Sequence, residues 1–245
     1  MKSWIRQCAV IGLAGSMVLG GLTGIRQALA LTTEQVAERL QTVPVFAVTN
    51  SEGVPLLGTV ENGEASQSVA NVFVSQQDAQ QFVTQVQETN TDLAGDIQVT
   101  PVSLAEIFEL AIAEETQSVQ FTIVPREQHV QEAVALLQQR GEEGDRFQGV
   151  PLFYAESSAD EGGYLTIQQG EQQVIPMYFE QSGLQGLLSR VSEAEPDLAA
   201  SMTIQVTNLE TVIQLMQEEE DPELGSILLV PSQESIEYIR SLPQQ

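Results

Sequence analysis

Val43-Pro44-Val45-Phe46 returns as Val150-Pro151-Leu152-Phe153, and the surrounding sequence repeats in the same order. Asn71-Val72-Phe73-Val74 matches Pro176-Met177-Tyr178-Phe179, and Thr91-Asp92-Leu93-Ala94 matches Pro196-Asp197-Leu198-Ala199, both at a spacing of 105 residues. Leu104, Ile107 and Phe108 align with Leu209, Val212 and Ile213 at the same 105, while the opening pair is spaced 107. Each half closes on Val-Pro and a helical pattern, at Val124-Pro125 and Val230-Pro231. Self-similarity on this scale marks an internal duplication.

Inside each copy the hydrophobic period alternates between that of strands and that of helices. Val43 to Thr49 reads as a strand, and Pro55 to Gly58 as its hairpin partner. The polar residues 60–68 read as an exposed connection, and Val72 to Val74 as a strand. Ala79, Phe82, Val83 and Val86 then follow at helical spacing behind a Ser75–Asp78 capping pattern. Ser103-Leu104-Ala105-Glu106 is a cleaner capping box, and Val119, Phe121 and Ile123 alternate strictly. Proline withholds one ladder N–H, so Pro44 and Pro151 fit an edge or the first ladder residue, and the closing strands could sit centrally. The expected fold is α/β or α+β: two lobes related by pseudo-twofold symmetry, with mixed sheets flanked by helices. The expected units are 31–141 and 149–245, joined through the Gly- and Glu-rich residues 141–149.

Residues 1–30 read as a signal peptide. Lys2 and Arg6 precede an uncharged stretch from Ala9 to Ile25, and Ala28-Leu29-Ala30 offers small residues for cleavage. A membrane anchor competes with this reading, but the stretch is near the lower length limit for a span and rich in glycine. Beyond Ala30 the chain has no lysine and no cysteine, six arginines against 34 acidic residues, and a formal net charge of −28. Phosphate neutralisation needs clustered Lys and Arg, so nucleic acid is excluded as a partner, and membrane association is peripheral at most. Disulfides and thiol chemistry are excluded for the same segment.

No catalytic set stands out. His129 is the only histidine and is expected on a polar surface flank, so a zinc site lacks ligands. No nucleophile elbow or phosphate loop occurs. Glu218 to Asp221 and Glu142 to Asp145 lack the alternating spacing of a calcium loop. No cofactor is expected. Phe73, Phe82, Phe108, Met177, Phe179 and Met216 sit where cores need them. The same six could instead line an apolar groove for an unfolded or amphipathic segment, since core and groove share one periodicity.

The segment Leu40-x-x-Val43-Pro44-Val45-Phe46-x-Val48-Thr49-Asn50-x-x-Gly53-x-Pro55-Leu56 resembles the opening signature of the 22-kilodalton component of the chloroplast inner-envelope import translocon. Val72-Phe73-Val74-Ser75-x-x-Asp78-Ala79 and Gly149-Val150-Pro151-Leu152-Phe153 are also similar to that family. With a bacterial-type leader the resemblance points to a cyanobacterial relative. It implies a non-enzymatic, two-lobed protein of the periplasm or thylakoid-associated space, chaperone-like in protein translocation and outer-membrane biogenesis. Its implied partners are unfolded outer-membrane precursors or components of the envelope translocon. A structural adaptor for a folded translocon component is the alternative reading, and a carboxylate-based hydrolase a remote one.

Overall fold

A computed structural model describes residues 9–10, 30–62, 65–89, 96–113, 116, 118–141, 146–158, 163–221 and 223–241. Most of the leader, the Thr91–Ala94 copy of the repeat and the acidic run 142–145 lie outside the described residues. A two-residue strand, β1 (Ala9–Val10), precedes helix α1 (Thr33–Leu40). The first lobe then runs β2 (Pro44–Asn50), β3 (Leu57–Asn62), β4 (Ala65–Phe73), α2 (Gln76–Thr89), β5 (Ile97–Ser103), α3 (Leu104–Ile112), β6 (Val119–Val124) and α4 (Glu127–Gln139). The second lobe repeats the order: β7 (Pro151–Ser157), β8 (Leu165–Gln169), β9 (Gln172–Tyr178), α5 (Gln181–Ala194), β10 (Met202–Asn208), α7 (Leu209–Glu218), β11 (Ile227–Val230) and α8 (Gln233–Ser241). One short helix, α6 (Pro196–Ser201), is added before β10. The mixed α/β fold with two similar sheet-and-helix lobes is therefore as the repeat implies.

The registers repeat as well. Along β2 and β5 seven antiparallel pairs run from Pro44↔Ser103 to Asn50↔Ile97, and along β7 and β10 seven run from Pro151↔Asn208 to Ser157↔Met202. β2 meets β4 at Phe46↔Phe73, and β7 meets β9 at Phe153↔Tyr178. β6 and β11 each add in parallel, ending at Phe73↔Val124 and Tyr178↔Val230. These closing strands lie at sheet edges, which corrects the central placement considered from sequence. Pro44 and Pro151 are the first ladder residues of interior strands, where a missing N–H costs least. Residues 60–62 and 65–68 are strand, where the sequence led to an exposed connection. They build a β-hairpin, with β3 pairing β4 from Leu57↔Ala70 to Asn62↔Ala65.

Both faces of β2 and β7 are covered, which is why these two strands read as nearly unbroken apolar runs. Val45 and Leu152 face a shared central core with Val36 and Leu40 of α1, Leu104 and Phe108 of α3, and Leu209 and Met216 of α7. Phe46 and Phe153, one residue on, face the opposite way into two outer cores. The central core thus joins the lobes, and helix caps fix its edges. Thr32 caps α1 reciprocally with Gln35, Ser103 caps α3 with Glu106, and Asn208 accepts from Thr211 N at α7.

The outer cores hold the feature that the linear order hides. α4, at the end of the first copy, packs on β10 and β7 of the second lobe, and Ala133 and Leu136 join Phe153, Leu184 and Leu187. α8, at the end of the second copy, packs on β2 and α2 of the first lobe, where Tyr238 meets Phe46 edge-on at a centroid distance of 5.3 Å. The two copies exchange their terminal helices.

Candidate binding surfaces

The six Phe and Met positions fall into two groups. Phe108, Met177, Phe179 and Met216 lie in the central core and are buried. Phe73 is buried in the first outer core against Phe82, with ring centroids 5.3 Å apart, and Phe82 is partly exposed. The structure does not bring the six to one surface.

An open groove forms instead where α8 fails to cover β5. In the second lobe, Met202, Ile204 and Val206 of β10 pack into an outer core roofed by α4 and α5. The nine-residue α8 lies over β2 and α2, leaving the end of β5 only partly covered. Pro44, Pro101, Val102, Ile236 and Ile239 line the resulting groove of about 580 Å³, with Glu106 and Arg240 at its rim. Glu106 is engaged, because its carboxylate accepts from Ser103 N at 2.7 Å. Ile236 is partly buried, and the offset of α8 leaves Ile239 exposed.

Beside this groove a polar seam ties the exchanged helices together. The Glu234 carboxylate of α8 accepts from Arg126 Nη1 at 2.5 Å, Ser75 Oγ at 3.1 Å and Gln77 N at 3.1 Å. Arg126 Nη2 also donates to Gln77 Oε1 at 3.1 Å. Ser75 accepts from Asp78 N as the capping pattern implied, but Glu234, from the far end of the chain, supplies the charge at this helix start. Across the pseudo-twofold, Glu180 accepts from Gln233 N at 3.0 Å at the start of α8. Ser235 Oγ, buried, donates to Val74 O and closes the seam.

His129 belongs to this seam, which corrects its expected surface position. It is 6 % exposed on α4, because α4 leaves its own lobe and turns that face inward. Burial holds its imidazole below the ordinary value, against the opposing pull of Glu132 and Glu180. Glu132 Oε2 is buried without a hydrogen-bond partner, while burial also raises Asp78. Among the described residues, no group of three or more His, Cys, Asp or Glu is placed to hold a metal ion. Asp221 of the acidic run instead accepts from Glu223 N at 2.9 Å in a local turn. No helix among the described residues is long and apolar enough to cross a membrane.

The comparisons with known proteins agree with this architecture. A solved structure described as "Anabaena Tic22 (protein transport)" superposes with a TM-score of 0.76 at 31 % identity, covering 88 % of this chain and 99 % of that one. Tic22 from Plasmodium falciparum shares the fold, with a TM-score of 0.64 at 20 % identity. The chain is 26 % identical over 190 residues to Protein TIC 22, chloroplastic, of Pisum sativum, spanning 69 % of that protein. It is 24 % identical over 205 residues to Protein TIC 22-like, chloroplastic, of Arabidopsis thaliana, spanning 61 % of it. With the Tic22-like family model matching residues 16–241, and the duplicated registers and exchanged helices filling that span, the chain belongs to the Tic22-like family.

Proposed function

We propose that this protein is a non-enzymatic, chaperone-like factor of the periplasm that serves protein translocation and outer-membrane biogenesis. The likeness over nearly its whole length to a solved protein described as one of protein transport carries this reading. Unfolded or amphipathic precursor segments bind along the apolar groove of Pro101, Val102, Ile236 and Ile239, with Arg240 meeting acidic groups at the rim. Phe82 extends the accessible apolar surface on the α2 side, while the five buried Phe and Met positions hold the lobes in shape. The excess of acidic residues keeps loaded and empty molecules apart.

The test is dilution of a urea-unfolded outer-membrane β-barrel protein into buffer with this protein, followed by light scattering. Suppression of aggregation at near-stoichiometric ratio, reduced at least fivefold in potency by Ile239→Asp with folding retained, supports the groove. No suppression at tenfold excess overturns the chaperone reading and leaves an adaptor for a folded translocon component, to be sought by pull-down from envelope membranes.

A further inference from the structure

The β3–β4 hairpin carries an edge that the rest of the fold does not use. β3 pairs β4 on one side, and among the described residues no strand pairs its other side. Its faces are both open: Leu57 is 48 % and Val60 46 % exposed, and, with two residues between them, they point to opposite sides. Val54, at the base of the arm, is 54 % exposed. Edge strands are ordinarily blunted by lysine, proline or a covering element, and β3 has only Glu61.

The duplicate lobe shows what such an edge accepts. β8 is the counterpart of β3, and its outer side is paired in parallel by β1 at Ala9↔Leu165 and Val10↔Thr166. Leu165 and Thr166 are 1 % and 4 % exposed, whereas of their counterparts Leu56 is partly buried against the first outer core and Leu57 is exposed. The segment that carries β1 is apolar and preceded by Lys2 and Arg6. The described residues of the arm include Glu52 and Glu61 and no basic residue. A second copy would bring the same negative charges to β3, so self-pairing is disfavoured, while a segment with Lys or Arg beside its apolar run is complementary.

We propose that the free edge of β3, Leu57–Asn62, is a strand-addition site for an extended apolar segment flanked by basic residues, such as the leader of an unfolded precursor. Main-chain hydrogen bonds provide sequence-tolerant affinity, Leu57 and Val60 grip alternate side chains, and the acidic arm selects the basic flank. This inference rests on the precursor-binding reading above and names the class of segment bound and where.

The probe is a fluorescent peptide of residues 1–12 of this chain, titrated by anisotropy into the full chain, whose own β1 already holds the β8 edge. Binding is expected to weaken at least tenfold in the double variant Leu57→Lys, Val60→Lys, and to change less than twofold in the control Glu193→Lys, at an exposed position on α5 of the other lobe. A photo-crosslinker replacing Thr59 should capture the peptide. Both substituted side chains are half exposed, and an unchanged melting temperature confirms that the arm still folds. Binding lost in Ile239→Asp but kept in the double variant overturns the β3 site while sustaining precursor binding at the groove. No peptide binding with aggregation suppression intact overturns this inference alone. No binding and no suppression overturns both readings.

Discussion

Removing the Glu234 carboxylate tests whether the helix exchange is held by the polar seam. Glu234→Ala takes three acceptor contacts from the junction: Arg126 at 2.5 Å, Ser75 at 3.1 Å and Gln77 N at 3.1 Å. The lost anion at the start of α2 is equivalent to a lost N-cap, about 1–2 kcal/mol. The ion pair is partly exposed and screened, so it adds only about 0.5–1 kcal/mol. The expected total is roughly 1.5–3 kcal/mol, a fall of about 3–12 °C in melting temperature for a chain of this size. Urea denaturation followed by circular dichroism reads it, and Glu234→Gln, which keeps an acceptor for Gln77 N, should lose about half as much. In an Arg126→Ala background the cost of Glu234→Ala should shrink by about 0.5–1 kcal/mol, because the ion pair is already absent. A cost of Glu234→Ala below about 0.5 kcal/mol, or one unchanged in that background, would refute the seam as the latch between exchanged helices.

Four further outcomes follow from the same packing. Tyr238→Ala removes the ring against Phe46 and should release α8 to protease before α4, at a cost of about 2–3 kcal/mol, whereas simultaneous release of both helices would contradict their separate outer cores. Phe153→Ala, at a fully buried position in the second outer core, should cost about 3–5 kcal/mol in the same urea assay. Gly149→Ala and Gly141→Ala should share the strain of a positive φ, but a Cβ at 149 also meets the tip of the exposed Glu210 side chain, which must swing away from Val150 N, while one at 141 meets open space, so Gly149→Ala should cost about 0.5–1 kcal/mol more by urea denaturation. Because burial lowers the His129 pKa, its contribution to stability is full above the ordinary 6.5 and is lost as pH falls below it. Asp78 and Glu210, raised by burial, act oppositely, gaining as pH falls through their raised values, so His129→Gln isolates the histidine part: the variant should lose less stability than the parent between pH 7.5 and 5.5.

Much of the fold was legible because its signals are local. Capping residues act within three positions, so Ser103 with Glu106 could be read directly. The 60–68 segment was harder, since a hairpin wet on both faces has no alternating apolar pattern to mark it. The candidate site was less legible still. Met177 and Met216 carry the same periodicity as a groove-lining residue would, and the actual groove depends on α8 stopping short of β5.

The sequence by itself determined the duplication, the order of strands and helices in each copy and the two-lobed α/β class, because hydrophobic period and repeat spacing are properties of neighbouring residues and of one constant offset. Tertiary structure alone decided that the terminal helices change places, that His129 is buried and that Glu234 serves a helix 157 residues away at Gln77. The physical reason is that α4 and α8 present similar amphipathic faces and two similar sheets are available to cover. Local pattern requires that each face be buried, and only the packing of both lobes together selects the sheet that buries it.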